Sequence, residues 1–155
     1  MVMIKEVTDC FLLRDNDICL GMKKRGFGVG LWNGTGGKII QGESPKETTK
    51  REALEEFNIN LNTDDLLKMA EIDFLFKDGL QHQAHIFVCR KWTGEPTESE
   101  EMNPKWFSVD NLPWENMWST DRVWLPKVLG GKNIKGRFYF NDDGRTIEKF
   151  DIKEL

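Results

Sequence analysis

Paired cysteines, an excess of basic charge and long apolar runs are all missing from this chain, and each absence removes a class of function. The three cysteines, Cys10, Cys19 and Cys89, are odd in number, far apart and without a C-x-x-C spacing. That excludes a disulfide framework and leaves them as reduced core residues of a cytoplasmic protein, with no cue for an activated thiolate. Lysine and arginine total 22 against 26 aspartates and glutamates, giving a net charge of −4 and a pI near 5.3. A long nucleic-acid polymer needs a basic face, which this balance argues against, whereas a small nucleotide, whose phosphates a metal and a few lysines can meet, stays open as a partner. No apolar run approaches the ~18 residues of a membrane span, and the N-terminal residues carry no apolar signal core. Neither G-x-x-x-x-G-K-[ST] nor G-x-G-x-x-G occurs in the glycine-rich stretch Gly21–Gly30. Tyrosine is nearly absent, one against six tryptophans. With no internal repeat and no linker, the 155 residues are expected to form one domain, 1–155, and a monomer.

What the chain does have is a concentrated acidic segment. Between Gly37 and Ile59 stand Glu43, Glu52, Glu55 and Glu56, with Arg51 among them. The spacing predicts a helix over Pro45–Phe57. Ser44 is the N-cap, Pro45 takes the first helical position, Glu47 completes an S-x-x-E capping box and Asn58 suits a left-handed terminus. Ala53, Leu54 and Phe57 form the apolar stripe expected to pack on a sheet, with the acids on the other side. Glu52 then lies beside Glu55 and Glu56, a repulsion of roughly 0.2–0.5 kcal/mol per pair in an isolated helix. An arbitrary E-x-x-E-E is usually wet surface. Here the cap, the arginine, Glu43 and the glycine turn Asn33–Gly37 share one short window. Hard oxygen ligands gathered this way suit Mg²⁺ or Mn²⁺ holding a polyphosphate.

Elsewhere the pattern predicts strands at Ile4–Leu13, Ile18–Met22, Met69–Phe76, Gln83–Cys89 and Lys105–Val109. A second helix is expected over Ser119–Leu129 and a last hairpin from Arg137–Phe140 with Thr146–Asp151. Asp78-Gly79 is a hairpin signal. Strands with few helices between them indicate an α+β fold, a mixed β-sheet sandwiched between helices. His82 and His85, three apart on a strand, face opposite sides and make a poor zinc pair. Lys23, at a strand end, is a candidate phosphate or base contact. Trp118, followed by Asp121, offers an aromatic face beside a carboxylate, a pairing that stacks a purine and reads its edge.

The acidic segment resembles the Nudix signature: Gly37, Glu43, Arg51, Glu52, Ala53, Glu55, Glu56 and Ile59 fit it, and Asn58 stands where that family has glycine. GMKKRGFGVGLWNGTGGK, TESEEMNPKWF and NMWSTDRVWLPKVL are more narrowly similar to the oxidised-purine nucleoside triphosphatases of that family, from about Thr8 to Phe140. The resemblance implies an α/β/α Nudix fold and Mg²⁺ bound by the Gly36 carbonyl, Glu52, Glu55, Glu56 and Glu101. It implies a base pocket lined by Thr8, Lys23, Phe27, Asn33, Phe74, Trp118, Thr120 and Asp121, with Gly36 and Gly37 also close to the substrate. It implies hydrolysis of oxidised purine nucleoside triphosphates, of the 8-oxo-dGTP and 2-oxo-dATP type, to a monophosphate and pyrophosphate. Glu56 or Glu101 would take the proton of water, Glu52 would assist, and Arg51 would orient the glutamates. Two positions depart from the pattern: Thr120 replaces the first of two base-reading aspartates, and His82 an apolar pocket residue. They keep open a second activity within the family, on an ordinary or methylated purine triphosphate or a dinucleotide polyphosphate.

Overall fold

Strand β1 (Met3–Arg14) is the axis of the molecule in the computed structural model, which describes residues 2–155. Its residues alternate between two faces. Cys10 and Leu12 join the core under the first helix, while Phe11 and Leu13 join the core under the second. Along one edge β1 pairs in parallel with β5 (Leu80–Cys89) over its whole length. β5 pairs antiparallel with β4 (Leu66–Leu75) through the tight turn at Gly79, β4 pairs in parallel with β7 (Ile134–Phe140), and β8 (Ile147–Glu154) closes that side antiparallel to β7.

The other edge of β1 is shared. β2 (Asp17–Lys23) follows a tight turn and pairs only with the last residues of β1, Leu12 to Arg14. Beyond Cys19 the two strands separate. The segment from the two-residue β3 (Trp32–Asn33) to Ile39 fills the gap. Thr35 exchanges backbone hydrogen bonds with Cys10, the Thr8 amide donates to the Gly37 carbonyl, and the Ile39 amide to that of Glu6. β6 (Met102–Ser108) lies on the far side of β2. The sheet is mixed, as expected. The strands run longer than the sequence signals because their polar ends still satisfy the ladder, and β3 is too short to leave a periodic pattern.

Helix α1 (Pro45–Phe57) has the predicted bounds and capping box: Ser44 accepts from the Glu47 amide, and Glu47 accepts from the Ser44 amide. It terminates at Asn58, at φ 59° and ψ 33°. Its buried face differs from the expected stripe. Thr49, Ala53, Glu56 and Phe57 point inward at i, i+4, i+7 and i+8, which rotates Leu54 out to 50% exposure and carries Glu56 in to 1%. Phe57 alone, fully buried, contributes roughly 1.5–3 kcal/mol. Helix α2 (Asp121–Leu129) starts two residues later than expected, with Thr120 as its cap residue making no side-chain capping bond. It buries Trp124, Leu125 and Val128 on the opposite face of the sheet, so the α/β/α layering holds. No helix among the described residues is long and apolar enough to cross a membrane.

Asn58→Ala should lower stability by about 1–3 kcal/mol, since alanine is strained in the left-handed region and the Nδ2 bond to Thr97 Oγ1 at 2.9 Å is lost. Asn58→Gly should stay within about 1 kcal/mol of the parent, because glycine accepts that backbone freely. Urea midpoints at unchanged slope measure both.

Candidate active site

Arg51 organises the outer face of α1. Its Nε and Nη2 grip the two oxygens of Glu43 at 2.9 and 3.1 Å, and its Nη1 donates to Glu52 Oε1 at 2.8 Å and to Glu55 Oε2 at 3.4 Å. The expected repulsion among the helix glutamates is therefore met first by a guanidinium. The Arg51 fork, with the Thr48 hydroxyl, holds the Glu43 carboxyl down to about 2. Glu43 also accepts from the Ile40 amide and so ties the loop before α1 to the helix. Glu52 is raised by burial, against the pull of Arg51.

Glu56 has a different setting. On the packed side of α1, its Oε1 accepts from the Thr35 hydroxyl and the Gly36 amide, both at 2.8 Å. Its Oε2 faces Lys23 Nζ at 3.8 Å, beyond hydrogen-bond reach. Burial pushes the carboxyl up to about 7, although the two hydrogen bonds and Lys23 favour the anion. The segment beside β1 makes this approach possible. A side chain at Gly36 would strike the Thr8 carbonyl, and one at Gly37 would lie 2.7 Å from the Glu52 carboxyl carbon. Neither glycine has a positive φ; close approach is what requires them.

A cavity of about 360 Å³ begins at this segment and runs to α2. That is ordinary for a small-molecule site. Lys23, Asn33, Gly36 and Gly37 line it, together with Phe74, Trp118, Thr120 and Asp121. Phe27 stacks on Trp118 with centroids 5.1 Å apart and meets His82 edge-on at 4.9 Å, forming an aromatic rim. Asn33 Oδ1 is taken by the Gly34 amide at 2.8 Å, so its free offering to a ligand is N–H donors. Asp121 is 3% exposed, and burial pushes its carboxyl up to about 7 despite the Trp118 amide and the Trp124 indole nearby. Asp9 also borders the cavity. Burial, then the negative charges of Asp121 and Glu56, raise it well above the usual carboxylate range.

The structure thus groups the residues singled out in sequence into two neighbouring sets. Glu52, Glu56, Lys23, Gly36 and Gly37 adjoin one another, with Arg51 and the half-exposed Glu55 behind them. Glu101 stands apart, exposed and paired with Arg25 at 2.5 Å, which lowers its pKa; Lys23 links it electrostatically to the helix carboxylates. Thr8 lines the cavity, and its hydroxyl accepts from the Gly37 amide at 3.4 Å. The histidines do face opposite sides: His82 lies in the aromatic rim and His85 between Glu6 and Lys68. Sequence reasoning missed Thr35, which fixes Glu56, and Asp9, which lies inside the strand expected over Ile4–Leu13. The strict alternation of β1 was the available signal, since it puts Asp9 on the same side as Phe11.

Among the described residues no three histidine, cysteine, aspartate or glutamate side chains stand close enough to share an ion as they are held by Arg51, Lys23 and Arg25. The donor set nonetheless fits a hard divalent cation. Glu52, Glu55 and Glu56 supply only oxygen, from one helix, and the buried Glu56 keeps an oxygen facing a positive charge without a hydrogen bond.

Comparison with known proteins follows the same lines. The family profile described as NUDIX domain matches residues 3–128. The chain is 41% identical over 145 residues to the oxidized purine nucleoside triphosphate hydrolase of Mus musculus, covering 93% of this chain and 91% of that protein. It is 39% identical to the protein of the same name from Danio rerio, covering 93% and 92%. Among solved structures, a MutT protein from Bacillus halodurans shares the fold at a TM-score of 0.79, with 24% identity over 96% of this chain and 97% of that one. The capped acidic helix, the glycine segment beneath it and these matches lead to one conclusion: the chain belongs to the Nudix hydrolase family.

Proposed function

We propose that the protein hydrolyses oxidised purine nucleoside triphosphates, of the 8-oxo-dGTP and 2-oxo-dATP type, to a nucleoside monophosphate and pyrophosphate, and so cleanses the nucleotide pool. One observation carries this reading: a single cavity is walled both by the glycine segment, which packs on Glu52 and Glu56, and by Trp118, Thr120 and Asp121 at α2. A triphosphate laid along it would have its anionic tail at Lys23 and α1 and its base against Trp118 and Asp121. The names of the mouse and zebrafish relatives support the same substrate class.

Glu52, Glu55 and Glu56, with the Gly36 carbonyl and Glu101, are the residues that would hold Mg²⁺, or Mn²⁺ in its place. When bound, such an ion neutralises phosphate charge and acidifies water. The rest is the work of the chain itself. Glu56, buried and fixed by Thr35 and Gly36, is the carboxylate best placed to accept the proton of the attacking water. Glu101, lowered by Arg25 and exposed, suits that task less and serves better as an additional oxygen ligand. Arg51 holds Glu52 and Glu43 in place and touches the cavity wall only from behind, through the Lys38 carbonyl. Lys23 brings the one ammonium near Glu56 that a phosphate could share. Water adds to a phosphorus of the anhydride, the P–O bond to the pyrophosphate leaving group breaks, and the proton passes to Glu56.

His82 within the aromatic rim and Thr120 at the cavity favour a second reading, a methylated or ordinary purine triphosphate or a dinucleotide polyphosphate. Pyrophosphate release across a panel of oxidised, methylated and ordinary nucleotides decides between them. The proposal requires kcat/KM for an oxidised purine to exceed that for its unmodified parent.

Glu56→Gln should lower kcat by about 10²–10⁴-fold, while the amide oxygen still accepts from Thr35 and Gly36 and the melting temperature holds. Wild-type turnover in that variant would remove Glu56 from its role. Thr35→Val should also lower kcat, by a smaller factor, through the lost 2.8 Å bond. Stability carries a matching signature. Glu56 and Asp121 have folded-state pKa values raised to about 7, from ordinary values of 4.5 and 3.8. The folded protein therefore holds more protons than the unfolded chain between those limits, and the stability gained by protonation is lost as pH rises towards 7 and beyond. In EDTA the melting temperature should be several degrees lower at pH 8 than at pH 5, and Mg²⁺ should restore more of it at pH 8. Equal melting temperatures at the two pH values would contradict these pKa values.

A further inference from the structure

We propose that Asp9, together with Asp121, reads the base, accepting two adjacent N–H donors from a purine that carries an imino N–H beside an exocyclic amino group. This rests on the substrate class proposed above and deepens it. Asp9 belongs to the face of β1 that carries Phe11, and Phe11 packs edge-on against Trp124 of α2 with centroids 5.9 Å apart. Asp9, Asp121 and Trp124 line the same cavity. Asp9 Oδ1, Asp121 Oδ2 and the Trp124 indole nitrogen are all buried without a partner in good hydrogen-bond geometry, although the indole stands near enough to Asp121 to favour its anion. Buried polar atoms in native proteins are almost always partnered, so three orphans at one end of a cavity mark a place where a ligand completes the bonding. Gly34 stands directly against Asp9: a methyl group there would collide with Asp9 Oδ1.

Two of the three orphans are carboxyl oxygens, which accept when ionised and, through the carbonyl oxygen, also when protonated. The partner they need is a pair of N–H donors side by side. Guanine presents N1–H next to its 2-amino group, and 2-oxoadenine in its keto form presents N1–H next to its 6-amino group. Ordinary adenine turns a bare N1 lone pair to the same place and meets an acceptor with an acceptor. The pair therefore selects both oxidised purines of the proposed class by one shared feature and rejects unmodified adenine. Thr120 adds only a hydroxyl from α2, and β1 supplies the second carboxyl.

The test is steady-state kinetics of the wild type, Asp9→Asn and Asp9→Leu on 8-oxo-dGTP, its hypoxanthine counterpart lacking the 2-amino group, and dATP. Loss of a hydrogen bond to a charged group corresponds to about 10- to 100-fold. KM for 8-oxo-dGTP should rise by that factor with kcat nearly unchanged, and the preference over the hypoxanthine and adenine nucleotides should shrink. A uniform change across the three nucleotides, or none, in a folded variant would overturn the proposal. Should both variants fail to fold, a crystal structure of the wild type with a guanine nucleoside monophosphate decides: an Asp9 oxygen about 3 Å from a base nitrogen supports it, and a bound base out of reach of Asp9 overturns it. Failure of the substrate class itself would show differently, as a wild type that hydrolyses no oxidised purine triphosphate at all.

Discussion

The site depends on one constraint: the buried carboxylate of Glu56 must be held against the glycine segment by the Thr35 hydroxyl and the Gly36 amide. A carboxylate taken out of water is costly unless its charge is met by hydrogen bonds and counter-charge, and here two donors and the Lys23 ammonium meet only part of it. The rest of the architecture follows from supplying that environment. β1 and β2 part after Cys19 so that the segment can enter the sheet beside β1. Gly36 and Gly37 lack side chains because the Thr8 carbonyl and the Glu52 carboxyl occupy the space a Cβ would need. The left-handed Asn58 ends α1 directly after Phe57.

Around that contact the molecule separates two chemistries by the period-2 alternation of a single strand. One side of the sheet carries α1, with its acids and the Arg51 fork. The other carries α2, with Trp118, Trp124 and Asp121 around an apolar pocket. The glycine segment, from Asn33 to Lys38, forms part of the cavity wall. Carboxyls of opposite character thus stand close together: Glu43 is an anion gripped by arginine, while Glu56, Asp9 and Asp121 sit in surroundings that resist ionisation.

Much of this was legible in the sequence, and the misses have physical reasons. The capping box, Pro45 and Asn58 are local signals, and α1 has the bounds they gave. The α/β/α layering followed from strand alternation and two amphipathic helices. Leu54 and Glu56 exchanged their expected places because a stripe of three apolar residues admits two rotations of the helix, and the sheet selects the one that buries Thr49 and Ala53 with Phe57. Arg51 was visible as a charge, but its bidentate hold on Glu43 is a tertiary contact across eight residues. Thr35 and Asp9 acquire meaning only from what lies across from them, Glu56 in one case and α2 in the other. Single-residue patterns do not carry that information.

Mn²⁺ uptake read by electron paramagnetic resonance, in the presence of a non-cleavable oxidised purine triphosphate, tests the central claim most directly. The account requires Mn²⁺ to bind with resolved hyperfine coupling to the phosphorus of the nucleotide, and both the uptake and the coupling to weaken sharply when Glu52 and Glu56 are replaced by glutamine. Unchanged uptake and coupling in that double variant, or no phosphorus coupling in the wild type, would place the metal and the triphosphate elsewhere and contradict it.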